Sequence, residues 1–223
     1  MSELIDTYWL YFLVGQYPHG PLGGLTLTVL LASLGLLLAF PVGLTLALLR
    51  VSPWPAVRWP AMGLIYVVRG TPLLMVVFWA YFFLPTITGH KTGQFATMLI
   101  ALIVFDAAYL AEIVHAGLKA LPHGQLQASM SLGLTRAQAL RWVLLPQALR
   151  HMLPSLINQF VATIKETSLG TIIGLSELSY IANQINAQVL VKPVEIYLTL
   201  AVSYFVMCFG LTRIARVVEA RVT

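Results

Sequence analysis

Charged side chains are scarce in this sequence of 223 residues. Only 9% of the residues are Asp, Glu, Lys or Arg, whereas 59% are hydrophobic. A soluble globular domain carries about 25% charged and about 45–50% apolar residues. So few charges cannot coat a surface that faces water. The composition therefore predicts one membrane-embedded domain over residues 1–223.

Cysteine is almost absent as well. The single Cys208 lies in an apolar run, so an intrachain disulfide is excluded. No cleavable signal peptide is expected, because the N-terminus lacks a basic region and the first apolar run is longer than about 7–15 residues. The formal net charge is +5, but the basic residues lie in short segments between apolar runs. That pattern is typical of membrane topology signals and argues against nucleic acid as a partner.

Motifs for catalysis, metal binding and nucleotide binding are missing too. No G-x-x-x-x-G-K-S/T stretch occurs, and Gly89–Thr92 lacks the required spacing. The five histidines show no metal-binding spacing, and no G-x-S-x-G surrounds a serine. Asp106 and Glu112 are six residues apart in the chain. On a helix they would therefore point about 120° apart, unlike a catalytic carboxylate pair. We therefore expect no enzyme, no metal and no cofactor on this chain, with any ATP and Mg²⁺ bound elsewhere.

Long apolar runs are what the sequence does contain. A hydrocarbon core about 30 Å thick requires about 20 apolar residues of helix. The opening aromatic segment, Tyr8–Val14, is too short to span and is predicted to lie at an interface. The five predicted transmembrane helices cover about residues 22–49, 59–85, 95–118, 152–175 and 194–218.

The distribution of Lys and Arg predicts the orientation of these helices. With the N-terminus outside, the inner segments hold nine basic residues and the outer segments hold two. The positive-inside rule then places the C-terminus in the cytoplasm. The inner residues are Arg50, Arg58, Lys119, Arg136, Arg141, Arg150, Arg213, Arg216 and Arg221, and the outer ones are Lys91 and Lys192.

The longest polar stretch is the inner loop at about residues 119–150. Pro122 is expected to open a first short helix, which Gly133 ends. Thr135 and Gln138 then fit a capping box, in which hydroxyl and amide satisfy free backbone N–H groups reciprocally. Pro146 is expected to end this second helix.

Apolar side chains in this loop predict a docking surface. Leu132 and Leu134, with the small Ala128 and Ser129, are expected to form an apolar knob on the cytoplasmic side. Apolar surface that faces water usually marks an interaction site. The alternative is an ordinary interfacial loop, which needs no partner.

Charged residues inside the apolar runs are candidates for a transport pathway. A charge near the bilayer centre costs at least about 2.5 kcal/mol, so it normally faces the bundle interior or water. Arg69 precedes Gly70 and Pro72, a helix break that suits a gate or a polar lining. The alternatives are structural: Glu112 pairing with Lys165, Arg69 reaching the inner interface, and hydroxyls bonding their own backbone. The candidate pathway residues are Arg69, Thr71, Asp106, Glu112, Lys165, Glu166, Thr167 and Ser168.

Four local motifs, in order along the chain, resemble one family. The stretch 124–133, GQLQASMSLG, followed by LPQA at 145–148, is similar to the coupling motif of ABC importer permeases. RGTPLL at 69–74, AYLAEI at 108–113 and KETSL at 165–169 resemble the polar amino-acid permeases of the histidine, glutamine and glutamate type. The similarity extends over roughly residues 24–218.

This resemblance implies a fold, a location and partners. The fold would be all-α, a type I ABC importer permease with a cytoplasmic coupling helix, in the bacterial inner membrane. The chain would be the transmembrane subunit of an ATP-driven importer that moves polar amino acids by alternating access. The implied partners are a cytoplasmic ATP-binding subunit dimer, a second permease subunit (identical or related), an extracytoplasmic amino-acid-binding protein and membrane lipids.

The resemblance also assigns residues to ATPase coupling. Gln127 stands where the family usually has Glu, so this position can hydrogen-bond an ATPase but cannot add a charge. The coupling candidates are Gly124, Gln125, Gln127, Ala128, Ser129, Leu132, Gly133, Leu134 and Pro146.

Two other functions and the choice of substrate stay open at this point. An ion-coupled secondary transporter or channel subunit is the main alternative, although such carriers commonly show internal repeats and none is visible here. A non-transporting scaffold has no use for the mid-membrane charges. Residues 75–79 and 105–109 are similar to permeases for glutamate and aspartate, but glutamine and basic amino-acid systems share the same motifs.

Overall fold

The computed structural model describes residues 2–122 and 124–222, with side chains over 6–122 and 124–220. Within these ranges the chain forms helices and only two isolated β-bridges, which confirms the all-α prediction. The helices are α1 Ser2–Val14, α2 Gly24–Arg50, α3 Pro55–Arg69, α4 Leu73–Thr88, α5 Gln94–Ala120, α6 Gly124–Ser131, α7 Arg136–Ala139, α8 Leu145–Glu166, α9 Leu178–Val189 and α10 Pro193–Val222, with a π turn at Leu140–Leu144 and a 3₁₀ helix at Thr167–Ile173.

Helix α5 forms the centre of the fold, and α2 packs along it. Leu31 of α2 and Leu102 of α5 are fully buried in the largest apolar cluster. The buried face of α2 is rich in small residues at helical spacing. In membranes such small residues let two helix backbones approach closely. They are Ala32, Gly35, Ala39, Gly43 and Ala47.

Gly43 marks the closest approach of these two helices. A Cβ placed there would lie 2.7 Å from the Cβ of Leu110 and 2.8 Å from the carbonyl oxygen of Ala107. We expect Gly43→Ala to lower the unfolding free energy by about 1–3 kcal/mol, because α2 would have to move away from α5. Thermal melting in detergent, followed by circular dichroism, measures the effect.

Gly63 on α3 provides the matched control, since a Cβ there has no heavy atom within 4 Å. Gly63→Ala should be neutral or stabilising by up to about 1 kcal/mol, because Ala is the better helix former. Equal melting temperatures for the two variants would contradict the close packing of α2 on α5.

The second predicted span, 59–85, is two helices rather than one. Helices α3 and α4 are bent by 104° at a short break after Arg69. Pro72 lies directly before α4 with an extended backbone, and its ring disfavours helical geometry at Thr71. The helix break expected at this point is present, and its bend makes α3 and α4 either one broken span or a re-entrant loop.

The fourth predicted span, 152–175, also differs from a regular helix. Helix α8 ends at Glu166, the chain tightens into a 3₁₀ helix, and Gly174 (φ 77°) closes it. Among the described residues, α2, α5 and α10 are long and apolar enough to cross a membrane, and the bent α3–α4 pair is a possible fourth span. Helix α8 carries Gln159, Lys165 and other polar residues, and it does not reach that criterion. Five spans therefore stay a prediction.

The inner loop folds largely as its motifs indicate. Helix α6 is followed by Gly133 at φ 86°, the break that the sequence predicts. The capping box is present, since the backbone N–H of Thr135 donates to Gln138 Oε1 (2.8 Å) and that of Gln138 donates to Thr135 Oγ1 (3.3 Å).

The prediction that Pro146 ends the second helix is wrong. Helix α7 passes through the π turn Leu140–Leu144 directly into α8, with Pro146 in the first turn of α8. A proline is tolerated at that position because its missing N–H is not needed there, and the π turn shifts the hydrogen-bond register just before it.

Candidate functional site

An arginine–glutamate–arginine cluster joins three helices, α2, α3 and α5. Arg50 ends α2, Arg69 ends α3, and Glu112 lies in the last third of α5. The Nη1 atoms of both arginines donate to the same atom, Glu112 Oε2, each at 2.7 Å. Charge-assisted hydrogen bonds of this length are stronger than hydrogen bonds between neutral groups. Two guanidinium groups against one carboxylate leave the cluster with a net charge of +1.

Two tyrosines and a cavity surround this cluster. The guanidinium of Arg50 lies 5.8 Å from the ring centre of Tyr66, and that of Arg69 lies 5.4 Å from the ring centre of Tyr109. Such cation–π contacts hold the arginines in place while leaving N–H donors available. Glu112 also lines a cavity of about 340 Å³, together with His151 and Ser155 of α8.

The cluster decides between structural alternatives for two charged residues. A pair of Glu112 with Lys165 is not found, because the salt bridges of Glu112 among the described residues go to Arg50 and Arg69. Arg69 pairs with Glu112 rather than reaching the interface alone. Lys165 is exposed on the surface of this single chain.

Asp106 belongs to a separate polar group at the interface between α5 and α8. Its side chain is fully buried. The Gln159 amide donates to Oδ1 at 2.9 Å, and the Thr163 hydroxyl donates to Oδ2 at 3.1 Å. A buried carboxyl group must have such partners, so Asp106 links α5 to α8 and is not open to a ligand in this conformation.

The remaining pathway candidates lie at two helix breaks. The hydroxyls of Thr71, Thr167 and Ser168 each donate to a backbone carbonyl three or four residues earlier, on Val67, Ile164 and Lys165 respectively. They therefore satisfy local backbone groups, as hydroxyls often do in helices. Glu166, at the end of α8, differs from them because its buried Oε2 atom has no hydrogen-bond partner in the described part of the chain.

The coupling candidates form an exposed tip between α6 and α7. Leu132 is 84% exposed and Met130 is 49% exposed. Gln127 and Ala128 are exposed as well, whereas Leu134 is half-buried. The surface is therefore narrower than the predicted knob.

Other coupling candidates make contacts inside the loop and do not belong to its exposed surface. Ser129 is only 4% exposed, so it is not part of the predicted apolar surface. Its hydroxyl donates to the carbonyl of Gln125, a residue whose side chain accepts a long hydrogen bond (3.5 Å) from Gln147. Gly124 begins α6, and Pro146 lies beyond the tip in α8.

Three important residues are not identified by the sequence patterns. Arg50 directly follows an apolar run, and this position indicates only a topology signal. Gln159 has no motif around it, and its role depends on Asp106, a residue 53 positions away.

Glu177 is the third of these residues. It is fully buried and caps α9 by accepting from the backbone N–H groups of Ser179 (2.9 Å) and Tyr180 (2.8 Å). Burial raises the pKa of Glu177 to about 7, against the lowering effect of these hydrogen bonds. Glu is not among the residues that usually cap a helix N-terminus, so the local sequence gives no clear signal for this cap.

Comparison with known sequences identifies the family. Residues 39–223 match the family described as "Binding-protein-dependent transport system inner membrane component". The inner membrane amino-acid ABC transporter permease protein YhdY of Escherichia coli (strain K12) is 38% identical over 224 residues, which cover 96% of this chain and 60% of YhdY. The probable glutamine ABC transporter permease protein GlnP of Bacillus subtilis (strain 168) is 36% identical over 202 residues, covering 90% and 92%. The chain thus spans about 60% of the length of YhdY.

Solved structures support the same family. One match is the crystal structure of an amino acid ABC transporter with histidines, with a TM-score of 0.80 and 34% sequence identity. The match covers 87% of this chain and 90% of the chain in that structure. An inward-facing structure of the MetNI methionine ABC transporter shares the fold with a TM-score of 0.68 at 23% identity, over 87% and 92% of the two chains. The predicted type I importer permease fold is confirmed. The chain therefore belongs to the binding-protein-dependent transport system inner membrane components, as a multi-pass membrane subunit for transport and not an enzyme.

Proposed function

We propose that this chain is the transmembrane subunit of an ATP-driven importer for polar amino acids. Relatives named for glutamine, arginine and L-cystine transport support this substrate class. A further relative is named for glutamate, glutamine, aspartate and asparagine together. The proposal keeps a preference for glutamate or aspartate within this class, on the sequence similarity at residues 75–79 and 105–109.

The exposed tip at Leu132 is the observation on which the proposal depends. Leu132 projects from a short turn that Gly133 and the capping box at Thr135 hold in one shape. A preorganised apolar projection suits insertion into a groove on a partner. The chain has no ATP-binding motif of its own, so we assign that groove to a cytoplasmic ATPase dimer.

The complete importer would need further subunits. A second permease, identical or related, would complete the pathway, and an extracytoplasmic binding protein would deliver the substrate. The orientation that places the tip in the cytoplasm follows from the bias of Lys and Arg, with the N-terminus outside.

The charged groups of the bundle supply the chemistry for a zwitterionic substrate. The Arg50–Glu112–Arg69 cluster has spare N–H donors and a net positive charge, which suit a carboxylate. Glu166 is a carboxyl group with an unpartnered buried oxygen, which suits an ammonium group. Movement of the ATPase against the tip would reach this region directly, because α7, the π turn and α8 form one helical run that ends at Glu166.

Co-purification tests the coupling assignment. Replacing residues 124–134 by a Gly-Ser linker of equal length should abolish recovery of the ATPase with the tagged permease. The same replacement at residues 88–93, in the exposed connection between α4 and α5, should leave recovery unchanged. If the ATPase still binds the first variant, the assignment is wrong. Uptake that persists in ATP-depleted vesicles with an intact ion gradient would favour a secondary transporter.

A further inference from the structure

A second cavity lies beside the charged cluster, where the inner loop meets the ends of two membrane helices, and Leu49 and Val51, the chain neighbours of Arg50, both line it. Its volume is about 590 Å³, within the range of about 300–1,000 Å³ that is usual for small-molecule sites. One wall is the turn after α2, with Val51 and Pro53, and a second wall is the end of α5, with Leu118. The inner loop closes the third side with Leu126 and Leu140. The cavity therefore lies at the depth where the apolar spans α2 and α5 end, which is the membrane interface.

The lining of this cavity is amphipathic and its charge has one sign. Most of the lining side chains are apolar, and the charged ones are Lys119 and Arg136, with His115 beside them. None of the described residues that line it is acidic. The Nδ1 atom of His115 is buried and has no hydrogen-bond partner among the residues that the structure describes. An occupant of this cavity therefore needs an apolar part and an anionic head with hydrogen-bonding capacity.

We propose that this cavity binds one anionic phospholipid, with an acyl segment against the apolar walls and the phosphate between Lys119 and Arg136. Basic residues at the cytoplasmic interface attract anionic lipid headgroups. A soluble anion would satisfy the two basic groups but not the apolar walls. A zwitterionic lipid would pack against the apolar walls, but its neutral headgroup would not balance the two positive charges of Lys119 and Arg136. Because Arg136 and Ala137 belong to α7, next to the coupling tip, a lipid bound here would brace the inner loop against α2 and α5.

Native mass spectrometry of the full-length purified chain tests this site, with dioleoyl phosphatidylglycerol and dioleoyl phosphatidylcholine as probes. We expect one phosphatidylglycerol to bind in preference to phosphatidylcholine. The double substitution Lys119→Gln and Arg136→Gln should weaken that binding about 25-fold, because each basic group near an anionic lipid contributes roughly fivefold. Arg58→Gln is the matched control, since Arg58 is predicted to lie on the same side but does not line the cavity.

A second variant tests the apolar part of the site. Ala137 is exposed and lines the cavity, so Ala137→Trp should fill the space without disturbing the core. Its melting temperature should match that of the wild type, while phosphatidylglycerol binding is lost. Equal binding of the two lipids, or wild-type binding by either variant, would overturn the proposal. Inorganic phosphate that competes fully would also overturn it, because the site would then recognise a free anion. The assay needs no ATPase and no substrate, so its result is independent of the proposed function, although the site rests on the proposed orientation.

Discussion

Glu112→Gln is expected to lower the unfolding free energy of the permease by about 1.5–3 kcal/mol. The substitution removes the only negative charge of the Arg50–Glu112–Arg69 cluster and leaves two arginines facing each other. A hydrogen bond to a charged group contributes about 1.5–3 kcal/mol, and leaving a partly buried charge without its partner adds a desolvation penalty. Partial exposure limits the effect, since the side chain of Glu112 is 31% exposed. Thermal melting in detergent measures the change, and substrate uptake should fall with it.

A double-mutant cycle separates this cluster from a general effect of charge. Combining Glu112→Gln with Arg69→Gln should restore part of the lost stability, because the second substitution removes one uncompensated arginine. Asp6→Asn, at an exposed carboxylate on α1, should have little effect. If Glu112→Gln melted at the wild-type temperature, the cluster would not hold α2, α3 and α5 together.

Leu132→Glu is expected to weaken binding of the ATPase at least about 30-fold without changing the stability of the permease. Leu132 is 84% exposed, so its replacement removes little packing within the chain. Loss of a hot-spot residue at the centre of an interface costs about 2 kcal/mol or more, which corresponds to about 30-fold in affinity, and we expect Leu132 to be such a residue. Placing a carboxylate in that groove adds a further penalty. Binding of the purified ATPase to permease in nanodiscs, measured by biolayer interferometry, gives the affinity.

Val191→Glu provides the control for this prediction. Val191 is 79% exposed and lies in a connection that is predicted to be on the outer side. The same change of charge there should leave ATPase binding at the wild-type level. Equal binding by the Leu132 and Val191 variants would show that the tip is not the docking surface.

Local patterns were sufficient for much of the architecture. Long apolar runs predict α2, α5 and α10. Gly133 with Thr135 predicts the turn at the coupling tip, because helix breaks and caps depend on neighbouring residues. Pro146 shows the limit of such patterns. Whether a proline ends a helix or begins a new turn depends on the hydrogen-bond register before it, and here a π turn shifts that register.

The pairing of the charged residues could not be predicted from the chain alone. Glu112 and Lys165 are both charged residues in apolar runs, and composition makes them plausible partners. The packing of α3 on α5 instead brings Arg69 to Glu112, and the packing of α2 on α5 brings Arg50 to the same oxygen. Both contacts depend on helix packing, with separations of 43 and 62 residues along the chain.

Reconstitution with and without the ATPase tests the central claim most directly. Proteoliposomes would contain the purified permease with its binding protein and a labelled polar amino acid, and the ATPase and ATP would be supplied or omitted. The account predicts accumulation of the amino acid only when the ATPase and ATP are both present. Accumulation by the permease in liposomes that lack the ATPase would contradict it.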